Sequence, residues 1–144
     1  MVEFQLQELV ERLDARLAGA DTGIRSVSTD SRSLRPGDLF VALQGPSFDG
    51  HDYVPVALER QAAAAMISRP VSTSIPTLQV ADTRLALGQL AALWRERAAA
   101  TEVAVTGSNG KTTVKEMLAP ILGQRGSVLA TVGNLNNDIG LPLT

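Results

Sequence analysis

The run Val103-Ala104-Val105-Thr106-Gly107-Ser108-Asn109-Gly110-Lys111-Thr112-Thr113 constrains the fold of this chain more than any other segment. A short β-type apolar stretch leads into a glycine-flanked turn. The turn ends in Gly-Lys-Thr, and a helical pattern follows from Val114 to Leu122. Strand, tight turn and helix in that order aim the turn's N–H groups and the positive end of the helix dipole at one point, which suits an anion. Gly107 and Gly110 let the backbone approach that anion closely. Lys111 has the reach for β- and γ-phosphate oxygens, and the Thr112 hydroxyl is the usual kind of Mg²⁺ ligand at this position. The segment therefore points to a nucleoside triphosphate, ATP, with Gly107, Ser108, Asn109, Gly110, Lys111, Thr112 and Thr113 around its phosphates. The common motif is G-x-x-x-x-G-K-[ST]. Here Val105 stands where its first glycine would be, and the loop is the shorter TGSNGKTT. An ordinary glycine turn between a strand and a helix is the competing reading. The required order of strand, Gly-x-x-Gly-Lys-Thr and helix weighs against it.

A strand of this kind belongs to a parallel sheet covered by helices on both faces, so the fold class is α/β. From Thr101 onward the sequence predicts a strand at 102–106, a helix at 111–123 and a short strand at 127–131. Two strands and one helix are too little to bury such a sheet. The expectation is that the chain is the front of a longer protein or a deliberate truncation, inactive by itself.

Ahead of this unit the pattern gives a small α/β unit at about 1–82. Leu6, Leu9, Val10, Leu13 and Leu17 fall at helical spacing and predict a helix over 5–18, stopped by Gly19. Val27–Asp30 and Leu39–Leu43 are β-type runs, separated by the turn signal Arg35-Pro36-Gly37-Asp38. A helix is predicted over 53–62 with Pro55 in its first turn. Buried strands are expected at Ala63–Ile67 and Thr77–Val80. Asp82 can cap a connecting helix over 83–100, with Leu87, Leu90, Ala91, Trp94 and Ala98 on one side. Residues 1–82 carry enough apolar strand and helix for a core of their own, though a marginal one.

Composition narrows the function classes. The formal net charge of −2 suggests neither a nucleic-acid surface nor an anionic-membrane binder. With no cysteine, disulfides and thiolate metal sites are excluded. The N-terminus MVEFQLQELVERL lacks the basic start of a signal peptide, and no apolar run is long enough to span a membrane. A cytoplasmic, monomeric protein is expected.

Two further stretches sharpen the reading. Ser28-Thr29-Asp30-Ser31-Arg32-Ser33-Leu34-Arg35-Pro36-Gly37-Asp38-Leu39-Phe40-Val41-Ala42-Leu43-Gln44-Gly45 is followed by Phe48-Asp49-Gly50-His51-Asp52-Tyr53. The chain then closes on GNLNNDIGLPLT at 133–144. Together with TGSNGKTTVKEM at 106–117, these closely resemble the Mur ligases of bacterial cell-wall synthesis, over nearly the whole chain and in order. The Asp-Ser-Arg to Pro-Gly-Asp-Leu-Phe-Val-Ala-Leu stretch is shared with the member that forms the tripeptide. GNLNNDIG and KTTVKEM are closer to the member that adds D-alanyl-D-alanine to UDP-N-acetylmuramoyl-tripeptide.

The resemblance implies a first domain for the UDP end of the substrate, a central one for ATP, and a C-terminal one for the incoming amine. It implies an ATP-dependent amide ligase working through an acyl phosphate. The family's central acidic metal ligand, its lysine that is often carbamylated, and its C-terminal domain have no positions here. Two rivals remain open. One is another amide ligase of the superfamily, such as a folylpolyglutamate synthetase, which the Asp-Ser-Arg unit ahead of the loop disfavours. The other is a non-catalytic module that holds uridine nucleotide.

Several residues stay ambiguous on their own chemistry. Asp-Ser-Arg before a Pro-Gly turn is usually a solvated turn; the resemblance places Ser31 facing the uridine diphosphate. Arg32 has two partners open to it, a phosphate or a local carboxylate such as Asp30 or Asp38. Gly45 opens the loop at 45–51, polar and placed where binding loops tend to sit. Asn134, Asn136 and Asn137 read by composition as a turn; the resemblance makes them substrate-side donors and acceptors. His51 reads as a surface or hydrogen-bonding residue, neither catalytic nor a metal ligand. Phe48 and Tyr53 can stack on uracil but read first as core, and Trp94 reads as packing.

Overall fold

The computed structural model describes residues 3–133, 135 and 137–144. Seven strands are assigned: β1 (Phe4–Gln5), β2 (Arg16–Ala18), β3 (Gly23–Ile24), β4 (Ser26–Ser28), β5 (Asp38–Val41), β6 (Ala64–Ile67) and β7 (Thr77–Gln79). The helices are α1 (Leu6–Arg12), α2 (Val54–Glu59), preceded by a 3₁₀ turn at Gly50–Tyr53, α3 (Thr83–Ala98) and α4 (Lys111–Gly123). Five strands make the central sheet in the order β2-β7-β6-β5-β4. β4 to β7 are parallel, and β2 adds an antiparallel strand on the β7 side. β1 and β3 form a separate antiparallel ribbon.

The sheet is buried on both faces, as parallel strands require. Side chains alternate along each strand. Leu39, Val41, Ala64, Met66 and Leu78 pack with Leu6 and Leu9 of α1 and with Leu87 and Leu90 of α3. Phe40, Ala42, Ala65 and Ile67 face the other way, onto Val54 and Ala57 of α2 and onto Leu34 and Ile75. The result is three layers, with helices on either side of one sheet. The predicted turn at 35–38 is there: Asp38 N–H donates to Arg35 C=O at 3.1 Å, and Gly37 has φ +91° after Pro36. That is the residue pattern of a type II turn.

Three expectations are corrected. The helix expected over 5–18 ends at Arg12, and Arg16–Ala18 is the edge strand β2, with Leu17 opposite Leu78. Asp14, at φ +48°, makes the break. Leu13 and Leu17 satisfy helical spacing, but sheet pairing competes for the same residues, and periodicity alone cannot see a partner strand. The strands expected at 102–106 and 127–131 do not form. A strand is stable only with neighbours to take its backbone hydrogen bonds. Val103, Leu129 and Val132 are accordingly exposed. Phe48 and Tyr53, read first as core, are each about half exposed, at 53% and 47%.

Asp82 caps α3 as expected, its Oδ1 accepting from the N–H groups of Arg84 and Leu85. The helix expected as a connector buries Ala86, Leu87, Leu90 and Leu93 in the same core as the sheet, whereas Ala98 is exposed. Trp94 packs edge-on against Phe4 with ring centroids 4.9 Å apart. Among the described residues no helix is long and apolar enough to cross a membrane.

Candidate functional site

Because β4 to β7 are parallel, their C-terminal ends line one edge of the sheet. In open α/β sheets ligands bind at that edge. The loop after β4 holds Ser31 and Arg32, and the loop after β5 holds Gly45 to His51. β4 and β5 are adjacent, so the two loops expected to meet the uridine end arise side by side.

The Asp-Ser-Arg loop is an Asx turn. Asp30 Oδ1 accepts from the Arg32 backbone N–H at 2.9 Å, and the Arg32 guanidinium returns to the same carboxylate at 2.8–3.2 Å. Of the partners open to Arg32, the structure shows Asp30. The side-chain hydrogen bond from Arg32, then its backbone N–H, hold the Asp30 carboxyl down at about 2. Ser28 Oγ donates to Asp30 C=O at 3.0 Å and lies 3.2 Å from Ser33 Oγ. Ser31 is half-buried between them in sequence, and among the described residues its side chain makes no hydrogen bond.

The second loop is tighter. Gly45 N–H donates to Phe48 C=O at 2.9 Å, and a Cβ on Gly45 would come within 2.3 Å of the Phe48 ring. Gly45 is small so that Phe48 can lie over it. His51 is buried, and it fastens the loop to the end of β6. Its Nε2 accepts from Ser68 N–H at 2.9 Å, which leaves the proton on Nδ1, 2.5 Å from Asp49 Oδ1. Arg69 closes the set on Asp49 Oδ2 at 3.0 Å. The His51 backbone N–H, then its ring, hold the Asp49 carboxyl at about 2. The sequence reading of His51 as a hydrogen-bonding residue holds, although not at the surface. A cleft of about 440 Å³ opens at the same edge, lined by Asp14, Ala15, Arg16, Ser68, Gln79, Val80 and Ala81. The sequence does not mark this lining, because it exists only once β2 joins the sheet.

The phosphate loop forms its own cluster. Gly107 has φ +145°, and Gly110, at φ +78°, is the N-cap residue of α4. These left-handed conformations favour glycine at both positions. No side chain caps α4 and its first turn carries no acid, so its leading N–H groups face outward. Ser108, Asn109, Thr112 and Thr113 are exposed around them. Lys111 Nζ folds back to donate to Gly107 C=O at 2.5 Å. Outward N–H groups, one ammonium and a helix N-terminus fit a polyphosphate. Among the described residues no group of three or more His, Asp or Glu could hold a metal. Thr112, exposed in the first turn of α4, stands at the position expected of a Mg²⁺ ligand in such a loop.

Of the closing asparagines, Asn134 and Asn136 lie outside the described residues. Asn137 Oδ1 accepts from Gly140 N–H at 2.6 Å and Ile139 N–H at 3.3 Å. Its oxygen therefore closes a local turn.

Comparison with known proteins agrees with this layout. The family model described as "Mur ligase family, catalytic domain" matches residues 23–95, and "Mur ligase middle domain" matches residues 105–144. A curated relative, the UDP-N-acetylmuramoyl-tripeptide–D-alanyl-D-alanine ligase of Escherichia coli K12, is 51% identical over 144 residues, all of this chain and 32% of the relative. Among solved structures, MurF from Acinetobacter baumannii superposes with TM-score 0.89 at 43% identity, over 99% of this chain and 32% of that one. MurF ligase from Thermotoga maritima in complex with ADP gives TM-score 0.75 at 40% identity, over 83% of this chain and 28% of that one. The chain thus spans about a third of the length of the relatives it matches.

Proposed function

This chain belongs to the Mur ligase family, and we propose that it is the front part of an ATP-dependent ligase that joins D-alanyl-D-alanine to UDP-N-acetylmuramoyl-tripeptide. In this reading residues 1–82, with the helix 83–100, hold the uridine end through Ser31, Arg32 and Gly45. Residues 101–144 open the ATP domain. The protein is cytoplasmic and acts as a monomer. The observation that carries the proposal is the pairing of two sites in one chain: the outward-facing phosphate loop at 107–113, and the parallel-sheet edge bearing the Asp-Ser-Arg and Gly45 loops. The ADP bound by the Thermotoga relative supports ATP at the loop.

The chemistry follows from the residues. A carboxylate does not acylate an amine directly, because oxide would have to leave. Transfer of the γ-phosphoryl group of ATP to the tripeptide carboxylate gives an acyl phosphate and ADP. The amine of D-alanyl-D-alanine then attacks the carbonyl carbon, the C–O bond to phosphate breaks, and the amine loses a proton. The phosphoryl step asks the protein for positioning and charge neutralisation. Lys111 Nζ leaves Gly107 C=O for phosphate oxygens. The N–H groups of Ser108 to Lys111 and the Thr113 hydroxyl orient the chain of phosphates. Thr112 would hold Mg²⁺, which supplies charge neutralisation. In this reading Asn134, Asn136 and Asn137 supply hydrogen-bond donors and acceptors to the substrate.

By itself the chain is better suited to binding than to turnover. Among the described residues, 102–106 have no partner strand, and α4 buries no residue.

The test is Lys111→Ala in the full-length protein. Formation of ADP and acyl phosphate is expected to be lost. Affinity for the UDP substrate, measured by calorimetry, should stay within about tenfold, roughly 1.4 kcal/mol. A larger loss would mean that the two sites are not separate.

A further inference from the structure

Two sets of contacts lie between the phosphate loop and the sheet edge, one at Lys115 and one at Asp138, and neither site uses them directly. The first is on α4, where Lys115 Nζ donates to the carbonyls of Thr131 at 2.6 Å and Gly133 at 3.1 Å. The chain then enters the turn closed by Asn137 Oδ1. Gly140 is packed so tightly there that a Cβ would lie 2.8 Å from Leu135 Cβ and 2.9 Å from Asn137 Oδ1. The turn presents Asp138 to Arg84. The pair is bidentate, with Nε 2.5 Å from Oδ2 and Nη2 2.7 Å from Oδ1. The next residue, Ile139, packs against the core shared by α1, α3 and the sheet.

Arg84 is itself fixed. It is the second residue of α3, two after the cap Asp82, whose Oδ1 is occupied by the N–H groups of Arg84 and Leu85. Beside it, Thr83 Oγ1 donates to Ala42 C=O at 2.9 Å, one residue past the end of β5. The loop that follows β5 begins there.

We propose that Arg84 and Asp138 are a positioning pair: they strap the turn at 137–140 onto the uridine-binding unit and so hold the substrate's carboxylate in register with the phosphate loop. This rests on the ligase reading above. The Arg84 side chain lowers the Asp138 carboxyl below the ordinary aspartate range, so the pair stays charged at neutral pH. Both side chains are more than half exposed, and an exposed pair contributes little to global stability. Its value lies in geometry: the two-point fork fixes direction as well as distance, and the loop it directs carries Asn137. Small misplacements of reacting groups cost far more in rate than in stability.

The experiment uses the full-length protein with Arg84→Met, Asp138→Asn and the double swap Arg84→Asp/Asp138→Arg. Each single variant should lower kcat/KM for the UDP-muramoyl tripeptide by about tenfold, with KM for ATP within about twofold. The melting temperature should hardly move. Hydrogen exchange followed by mass spectrometry should speed up in the peptide covering 133–144. The swap should recover most of the lost kcat/KM.

Wild-type exchange in Arg84→Met would overturn the strap. So would equal losses toward ATP and the uridine substrate, or a swap no better than the singles. A wild-type protein that ligates nothing would instead overturn the ligase reading; the strap would then be judged on exchange alone.

Discussion

Removing α3 is expected to unfold the first unit, even though every strand of its sheet lies before residue 80. Leu87 and Leu90 are each 1% exposed and Leu93 is 8% exposed. Burying a leucine contributes about 1.5–3 kcal/mol, so the three together supply about 5–9 kcal/mol. That is comparable with the whole stability of a domain, about 5–15 kcal/mol. Deletion would also bare Leu6, Leu9 and Met66, which α3 helps to cover. The Phe4–Trp94 contact would go too, with the Arg97 guanidinium 3.7 Å from the Phe4 ring. A fragment of residues 1–82 should therefore show no cooperative transition in urea by far-ultraviolet circular dichroism, and a fragment of 1–100 should. Within the longer fragment, Leu90→Ala should cost about 2–5 kcal/mol. If 1–82 unfolds cooperatively with an unfolding free energy, extrapolated to water, within about 1 kcal/mol of that of 1–100, the burial argument is wrong. α3 would then be the connector that the sequence suggested.

Two further outcomes follow from the loop after β5. Gly50→Ala should destabilise by about 1–3 kcal/mol in thermal melts, because its Cβ would lie 2.6–2.9 Å from the backbone of Leu43 and Ala42; an unchanged melting temperature would contradict this contact. The Asp49 carboxyl is held near 2 against an ordinary value of 3.8, so its ionised form favours the folded loop. That contribution is complete above the ordinary value and disappears as pH falls through about 2. A carbon-13 carboxyl titration should find Asp49 titrating at about 2, and His51→Ala should move it back toward the ordinary value.

Punctuation and period were legible in the sequence where one element decides the outcome. The Pro36-Gly37 turn, the Asp82 cap, the β5 and β6 runs and α4 each follow from residues in their own segment. Several misses involve a partner elsewhere in the chain. Arg16–Ala18 is a strand because Gln79, Leu78 and Thr77 lie beside it, and nothing within 5–18 encodes that pairing. β1 and β3 are two residues each, too short to carry a periodic signal. His51 could be read as a hydrogen-bonding residue, but its burial depends on Ser68, which comes 17 residues later. The phosphate loop was legible because glycine conformations, helix start and lysine are all local. The Arg84–Asp138 pair spans 54 positions, and no local pattern marks it.

The same distinction separates the two halves of the chain. In the first, both faces of the sheet are covered and every buried polar side chain among the described residues has a partner. In the second, the apolar side chains of Met117, Ile121, Leu129 and Val132 are all more than half exposed. Their exposure goes with the lack of a strand ladder at 102–106 and 127–131, since unpaired segments give these side chains no sheet face to pack on. The sequence specifies the helix and its glycine cap locally, and these form regardless. The strand pairing needs a sheet, and so it does not form. This explains how a phosphate loop can keep its turn geometry while the strand feeding it forms no ladder. It also means that Ile139 and the Asp138–Arg84 pair, which reach back to the finished core, fix the end of the second half to the first.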